Sequence, residues 1–151
     1  VLSQLLAIKS DGGTGALEQM MLAEYCKEHF DKHIKSLCKT LENKLAVLTE
    51  AIEANFGTSA EFDVPAGGIF LWVTLPDNVD TMKLASVAFS EGIAINPGPE
   101  WSTDAVSARS KLRICFGHPD VSTIREGINK LAKICQREFS VPKRISNEKV
   151  Q

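Results

Sequence analysis

Pro65-Ala66-Gly67-Gly68-Ile69-Phe70-Leu71-Trp72-Val73-Thr74-Leu75-Pro76 is the most strand-like run of the chain, and a proline stands at each end of it. From Ile69 to Leu75 the residues are β-branched, aromatic or aliphatic without polar alternation, which predicts a central strand covered on both faces. Gly67 and Gly68 lack a Cβ at the strand entrance. Either the backbone turns there with unusual dihedrals, or something approaches it closely.

Upstream of this run, the apolar positions Ile34, Leu37, Cys38, Leu41, Leu45, Leu48, Ile52 and Phe56 recur at spacings of three and four. They predict a long amphipathic helix over Asp31–Phe56 whose stripe faces the core, stopped by Gly57. Asp31 is expected to cap it and to break it from an earlier helix over Ala16–Lys27, for which Thr14 is the N-cap candidate. Downstream, Glu61–Val64 suits a short strand leading into Pro65. Thr81–Glu91 predicts a helix capped by Asp80 or Thr81, with Met82, Leu84, Ala85, Ala88 and Phe89 available to the core. Strands follow at Ile93–Asn96 and Lys111–Phe116, separated by an aperiodic excursion. A last helix, capped by Asp120 or Ser122, turns Ile124, Ile128, Leu131, Ala132, Ile134, Cys135 and Phe139 inward. The order predicts an α+β fold: a small mixed or antiparallel sheet of about four strands packed by helices. Val141–Gln151 is read as a polar, frayed tail.

With 151 residues, a formal charge of −2 and a pI near 5.9, the chain has the size of an ordinary domain and no basic face for nucleic acid. No apolar run approaches the roughly 20 residues of a membrane span, and Lys9 follows the opening apolar stretch without a cleavage-type site. A cytoplasmic setting is expected. Cys26, Cys38, Cys115 and Cys135 form no C-x-x-C pair and read as buried reduced thiols. His29 and His33 stand four apart, but Phe30 occupies the place of the Glu in H-E-x-x-H and no third ligand is evident, so no metal site is assigned. The chain opens on Val1 within an apolar segment and is expected to be part of a longer polypeptide.

Two features could carry chemistry. Arg113 interrupts Leu112-Arg113-Ile114-Cys115-Phe116, a strand that otherwise asks for burial. Either it points outward from a wet face, or its fork of donors grips a carboxylate. The loop Ser10-Asp11-Gly12-Gly13-Thr14-Gly15 feeds a helix N-terminus, a setting that can hold a phosphate or simply punctuate the chain.

Taken in order, Pro65–Pro76, then Glu91-Gly92-Ile93-Ala94-Ile95-Asn96-Pro97-Gly98, then Leu112–Phe116 and its amphipathic helix resemble the C-terminal part of the class I/II aminotransferases of fold type I. The likeness is to the branch with aminoadipate and aromatic aminotransferases and the aminotransferase-like halves of MocR-type regulators, and it covers about residues 1–139. It implies a connecting segment over 1–30, a small C-terminal domain over 31–140 and a tail over 141–151. It implies that Arg113 binds a substrate α-carboxylate, that Gly68 and Trp101 line the substrate cavity, and that Thr14 reaches the phosphate of pyridoxal 5′-phosphate in a neighbouring subunit of a homodimer. The substrates implied are an amino acid and a 2-oxo acid. No lysine here matches the family's Schiff-base motif, so no catalytic residue is assigned and the chain alone is expected to be inactive. The alternative implied is the effector-binding half of a regulator without turnover, and nothing in these residues separates the two.

Overall fold

The computed structural model describes residues 2–9 and 13–142. They fall into two compact units, Val1–Cys38 and Lys39–Gln151. Helix α1 (Leu2–Ile8) and the first part of helix α2 (Ala16–Phe56) make up the first unit. No side chain of α1 is buried, and Leu2, Leu5, Leu6 and Ile8 are all open to solvent, as are Leu17, Met20, Met21 and Leu22 of α2. Val1, also expected to be exposed, lies outside the described residues.

Helix α2 is one uninterrupted element of 41 residues, so the expected break at Asp31 does not occur. An exposed Asp mid-helix costs a few tenths of a kcal/mol to about 0.7 kcal/mol, too little to end a helix whose neighbours are good formers. The expected core stripe begins only at Leu41: Leu37 and Cys38 are exposed, whereas Leu41 and Leu45 pack against the core and Val47, Leu48, Ala51, Ile52 and Phe56 are buried. Gly57 at φ +55° follows the last residue, where a left-handed conformation favours glycine.

The second unit holds strands β1 (Phe70–Thr74), β2 (Asn96–Pro97) and β3 (Lys111–Cys115), with helices α3 (Thr81–Ser90) and α4 (Val121–Phe139). The sheet has three strands in the order β1-β3-β2, antiparallel throughout, rather than about four. Glu61–Val64 contributes only a bridge, in which Glu61 and Thr74 exchange both backbone hydrogen bonds, and Ile93–Ile95 leads into β2 without pairing. The central strand is therefore β3. β1 lies at an edge guarded by the Glu61 bridge, and its burial alternates: Leu71 and Val73 are buried, while Trp72 is 41% exposed. Its continuous apolar run arises because the outer face carries aromatic rings rather than polar side chains.

One hydrophobic cluster joins the inner face of the sheet (Leu71, Val73, Leu112) to Leu48 and Ile52 of α2, Leu84 and Ala88 of α3, and Ile124, Ile128, Leu131, Ile134 and Cys135 of α4. Met82 and Phe89 of α3, expected inward, are exposed, because Thr81, Leu84 and Ala88 supply the buried stripe one turn apart. Thr81 is fully buried without penalty, since its N–H and hydroxyl both donate to the Arg109 carbonyl. Asp80 caps α3 by accepting from the N–H groups of Met82 and Lys83, and Asp120 caps α4 by accepting from Thr123 at 2.7 Å. Val141 is not part of a frayed tail: it is buried, and its N–H donates to the Cys135 carbonyl beyond Ser140, which closes α4 in the left-handed region. The rest of the expected tail from residue 143 onward lies outside the described residues.

Of the four cysteines only Cys135 is buried, and burial pushes its thiol up to about 12. Cys38 is exposed and Cys26 and Cys115 are half-buried, because α2 and the outer sheet face are less covered than the apolar pattern implied. Among the described residues no helix is long and apolar enough to cross a membrane.

Candidate functional site

The strand register shows which face of the sheet Arg113 takes. β1 and β3 pair Phe70 with Cys115, Trp72 with Arg113 and Thr74 with Lys111, and these side chains alternate away from the buried Leu71, Val73 and Leu112. Arg113 therefore stands on the outer face. There its guanidinium carbon lies 3.4 Å from the centre of the Trp101 ring and 3.9 Å from that of Phe70, so the charged plane is held between two aromatic faces. No carboxylate among the described residues pairs with it. Its Nε is closed from solvent without an acceptor. A buried orphan donor costs about 1–3 kcal/mol. Each cation–π contact returns about 0.5–2 kcal/mol. The two effects are of similar size, and the aromatic rings hold the charge without neutralising it.

Trp101 reaches this position through a short 3-10 turn, Gly98–Glu100, that follows β2. Its N–H donates to the Gly98 carbonyl at 3.0 Å. Gly98 is wedged against the entrance of β3: a Cβ there would lie 2.5 Å from the Lys111 carbonyl oxygen and against that of Ala108. The following loop, aperiodic in sequence, is organised by Asp104, whose Oδ1 accepts from the N–H groups of Val106 and Ser107. These bonds, that from Ser107 first, hold its carboxyl below the usual range. On the other flank, the Asn96 amide donates to the Arg113 carbonyl at 3.4 Å, tying β2 to the same residue.

Phe70 and Trp101, the two rings against the guanidinium, also line a cavity of about 670 Å³, together with Phe62, Trp72, Thr74 and Lys111 and with Glu61 and Asp63 on the approach to β1; Arg113 itself is not one of its lining residues. Trp101 and Arg113 are brought together by the ring contact. Gly68 is not among the residues lining this cavity. It adopts φ +94°, which by itself favours a glycine, and among the described residues no atom beyond its chain neighbours lies within 4 Å of where a Cβ would stand. The close approach belongs to Gly98.

Thr14 lies in the first unit. It precedes Gly15, whose carbonyl accepts the Gln19 N–H, so the N-cap position of α2 is Gly15 rather than Thr14. The Thr14 carbonyl accepts from the Gln19 amide at 2.7 Å, and Gly13 takes φ +138°. Gly12, part of the same expected loop, lies outside the described residues. His29 and His33 share one helix face, where the Tyr25 ring packs on both.

Sequence inspection passed over Phe70 as a partner of Arg113, and Gly98 and Asp104 as the residues that place Trp101. The signals were present: Phe70 shares the parity of Trp72 along the strand, and Ser102-Thr103-Asp104 is a turn-forming triplet.

No family model matches the chain. It is 30% identical over 128 residues to an uncharacterised aminotransferase of Saccharolobus solfataricus, covering 84% of this chain and 32% of that protein. It is 27% identical over 127 residues to aromatic-amino-acid aminotransferase 1 of Thermococcus litoralis, covering 83% and 30%. An uncharacterised HTH-type transcriptional regulator of Bacillus subtilis is 26% identical over 127 residues, covering 83% and 26%. Among solved structures, an archaeal alanine:glyoxylate aminotransferase superposes with a TM-score of 0.70 at 32% identity, covering 77% of this chain and 29% of that one. The α-aminoadipate aminotransferase of Thermus thermophilus, solved with N-(5′-phosphopyridoxyl)-L-leucine, shares the fold at a TM-score of 0.78 and 23% identity, covering 88% and 34%. The chain spans about a third of the length of the curated relatives it matches. By sequence and by fold, the chain is similar to a segment, about a third of their length, of class I/II pyridoxal-phosphate aminotransferases.

Proposed function

We propose that the protein containing this chain is a pyridoxal-phosphate-dependent aminotransferase that moves an amino group between an amino acid and a 2-oxo acid, acting as a cytoplasmic homodimer. The observation that carries the reading is the Arg113 guanidinium, with no carboxylate partner among the described residues, held by Phe70 and Trp101, two rings that also line an aromatic-walled cavity. Its terminal Nη groups would take the α-carboxylate of the substrate in a two-pronged hydrogen bond. The cavity would receive the substrate side chain against Trp72, with Trp101 on its wall holding Arg113, and Gly68 would let the chain turn beside it. Residues 1–30 would connect to the rest of the enzyme, 31–140 would form the small domain, and 141–151 would be a polar tail whose first residue, Val141, is anchored in the core.

The cofactor, when bound, supplies an electron sink for the bond broken at the substrate α-carbon. This chain offers it one setting. Gly13 and Thr14 lead into the N-terminus of α2, where first-turn N–H groups lack intrahelical partners, and Thr14 would hold the phosphate there. Glu18 folds back against Gly15 at the same helix end and would swing out to admit it. On this reading the 151 residues alone give no turnover, and borohydride treatment with pyridoxal phosphate traps no adduct at a single lysine.

Relatives that are HTH-type regulators match over 83–91% of this chain, and they favour a second reading, an effector-binding half without turnover. A winged-helix segment elsewhere in the polypeptide, with no turnover, would decide for it.

The test is a single-turnover reaction of the full-length Arg113→Ala enzyme, followed by the absorbance of the bound cofactor. Charged hydrogen bonds are each worth about 1.5–3 kcal/mol, so losing two lowers kcat/KM for an amino acid by at least about a hundredfold. An amine lacking the carboxylate loses far less. Equal loss with both substrates makes Arg113 a structural residue.

A further inference from the structure

We infer that Trp101 is a positioning residue which, with Phe70 on the opposite side, fixes the Arg113 guanidinium so that a carboxylate is met end-on by its two Nη groups. The inference rests on the carboxylate role proposed for Arg113. Three observations carry it. The guanidinium carbon is 3.4 Å from one ring centre and 3.9 Å from the other, so both rings are in van der Waals contact with it. Among the side-chain nitrogens of Arg113, Nε alone is both closed from solvent and without an acceptor, so the side-on edge that includes Nε is shut to an anion, and the two Nη groups are the donors left to meet one. Trp101 itself is anchored from below rather than by a ligand: its N–H bonds to Gly98, and Gly98 is wedged against the carbonyls of Ala108 and Lys111.

A free arginine has several rotatable bonds to order when it meets an anion, and ordering a side chain of this kind weakens binding by roughly two- to tenfold. Stacking between two rings meets that cost during folding. Trp101 therefore acts through Arg113, and its contribution to binding disappears when Arg113 is absent. This differs from a Trp that touches the substrate side chain, whose contribution would survive. The half-exposed ring, with 51% of its surface open, is not a core element, so its replacement leaves the fold intact.

The experiment measures calorimetric affinity of the full-length protein for 3-phenylpropanoate, a carboxylate without an amino group to react, and for 3-phenylpropan-1-ol, which lacks the carboxylate. The variants are Trp101→Leu, Trp101→Phe, Arg113→Ala and the double variant Trp101→Leu/Arg113→Ala. Trp101→Leu is expected to weaken the carboxylate about tenfold, and Trp101→Phe, which keeps a stacking face, less than about threefold. The alcohol changes little in either. In the Arg113→Ala background, Trp101→Leu adds no further loss, the signature of two residues acting as one unit. Equal carboxylate affinity in Trp101→Leu and Trp101→Phe overturns the inference, as does a loss that persists in the Arg113→Ala background. If Arg113→Ala leaves carboxylate affinity intact, the carboxylate role falls and takes the inference with it, whereas the first two outcomes leave that role standing.

Discussion

Replacing Gly98 by alanine tests how the site is held. The added Cβ would lie 2.5 Å from the Lys111 carbonyl oxygen and against the Ala108 carbonyl oxygen, where carbon and oxygen ordinarily rest at about 3.3 Å or more. Each oxygen would have to retreat by about 0.5–1 Å, and neither can do so freely. Ala108 accepts the Lys111 N–H at 3.0 Å, and Lys111 opens the central strand. Overpacking against side chains costs about 1–3 kcal/mol, and against two backbone carbonyls the upper end applies. For a unit of this size, about 3 kcal/mol lowers the melting temperature by roughly 9–15 °C. Because Trp101 hangs from the Gly98 carbonyl, carboxylate affinity should fall together with stability. Circular-dichroism melts of Gly98→Ala and Gly67→Ala give the comparison. A Cβ on Gly67 meets open space, so that variant stays within about 0.5 kcal/mol of the parent. If Gly98→Ala melts within about 2 °C of the parent, the close approach does not hold Trp101 in place and the reasoning from it fails.

Leu84→Ala, at a fully buried position, should cost about 2–5 kcal/mol in urea unfolding, whereas Phe89→Ala on the same helix, 75% exposed, should cost under about 0.5 kcal/mol. The carboxyls of Asp80, Asp104 and Asp120 are lowered by backbone N–H groups, Asp120 to about 2 by that of Thr123 first. Their stabilisation is present above the unfolded carboxyl pKa of about 3.9 and is lost as pH falls towards the folded values. Urea midpoints should therefore drop between about pH 4 and pH 2, and Asp120→Asn, which keeps an acceptor but cannot titrate, should flatten that drop. With a thiol-reactive chromophore, the exposed Cys38 should react first, and Cys135, held up to about 12 by burial, only on unfolding. Fast labelling of Cys135 in the folded chain would contradict its place in the core.

The linear pattern by itself determined the elements with local causes. Asp80 and Asp120 cap helices because a short carboxylate reaches the N–H groups of the next turn, and Gly57 ends α2 because it tolerates positive φ. The inward stripe of α4, from Ile124 to Cys135, follows from helical spacing alone. The ordered motifs around Arg113 were enough to point to the family. What tertiary structure decided is the relation between elements. A run as apolar as Ile69–Leu75 reads as central, yet β1 is at an edge, because Phe70 and Trp72 face outward to make a site rather than a core. The same alternation left Arg113 equally free to face in or out until its register with Trp72 was known. Phe70, Trp101 and Arg113 are separated in sequence by 31 and 12 positions, and no local propensity links them. Only antiparallel pairing of β1 with β3, and the wedge at Gly98 that swings Trp101 over the sheet, brings the two rings to either side of one charge.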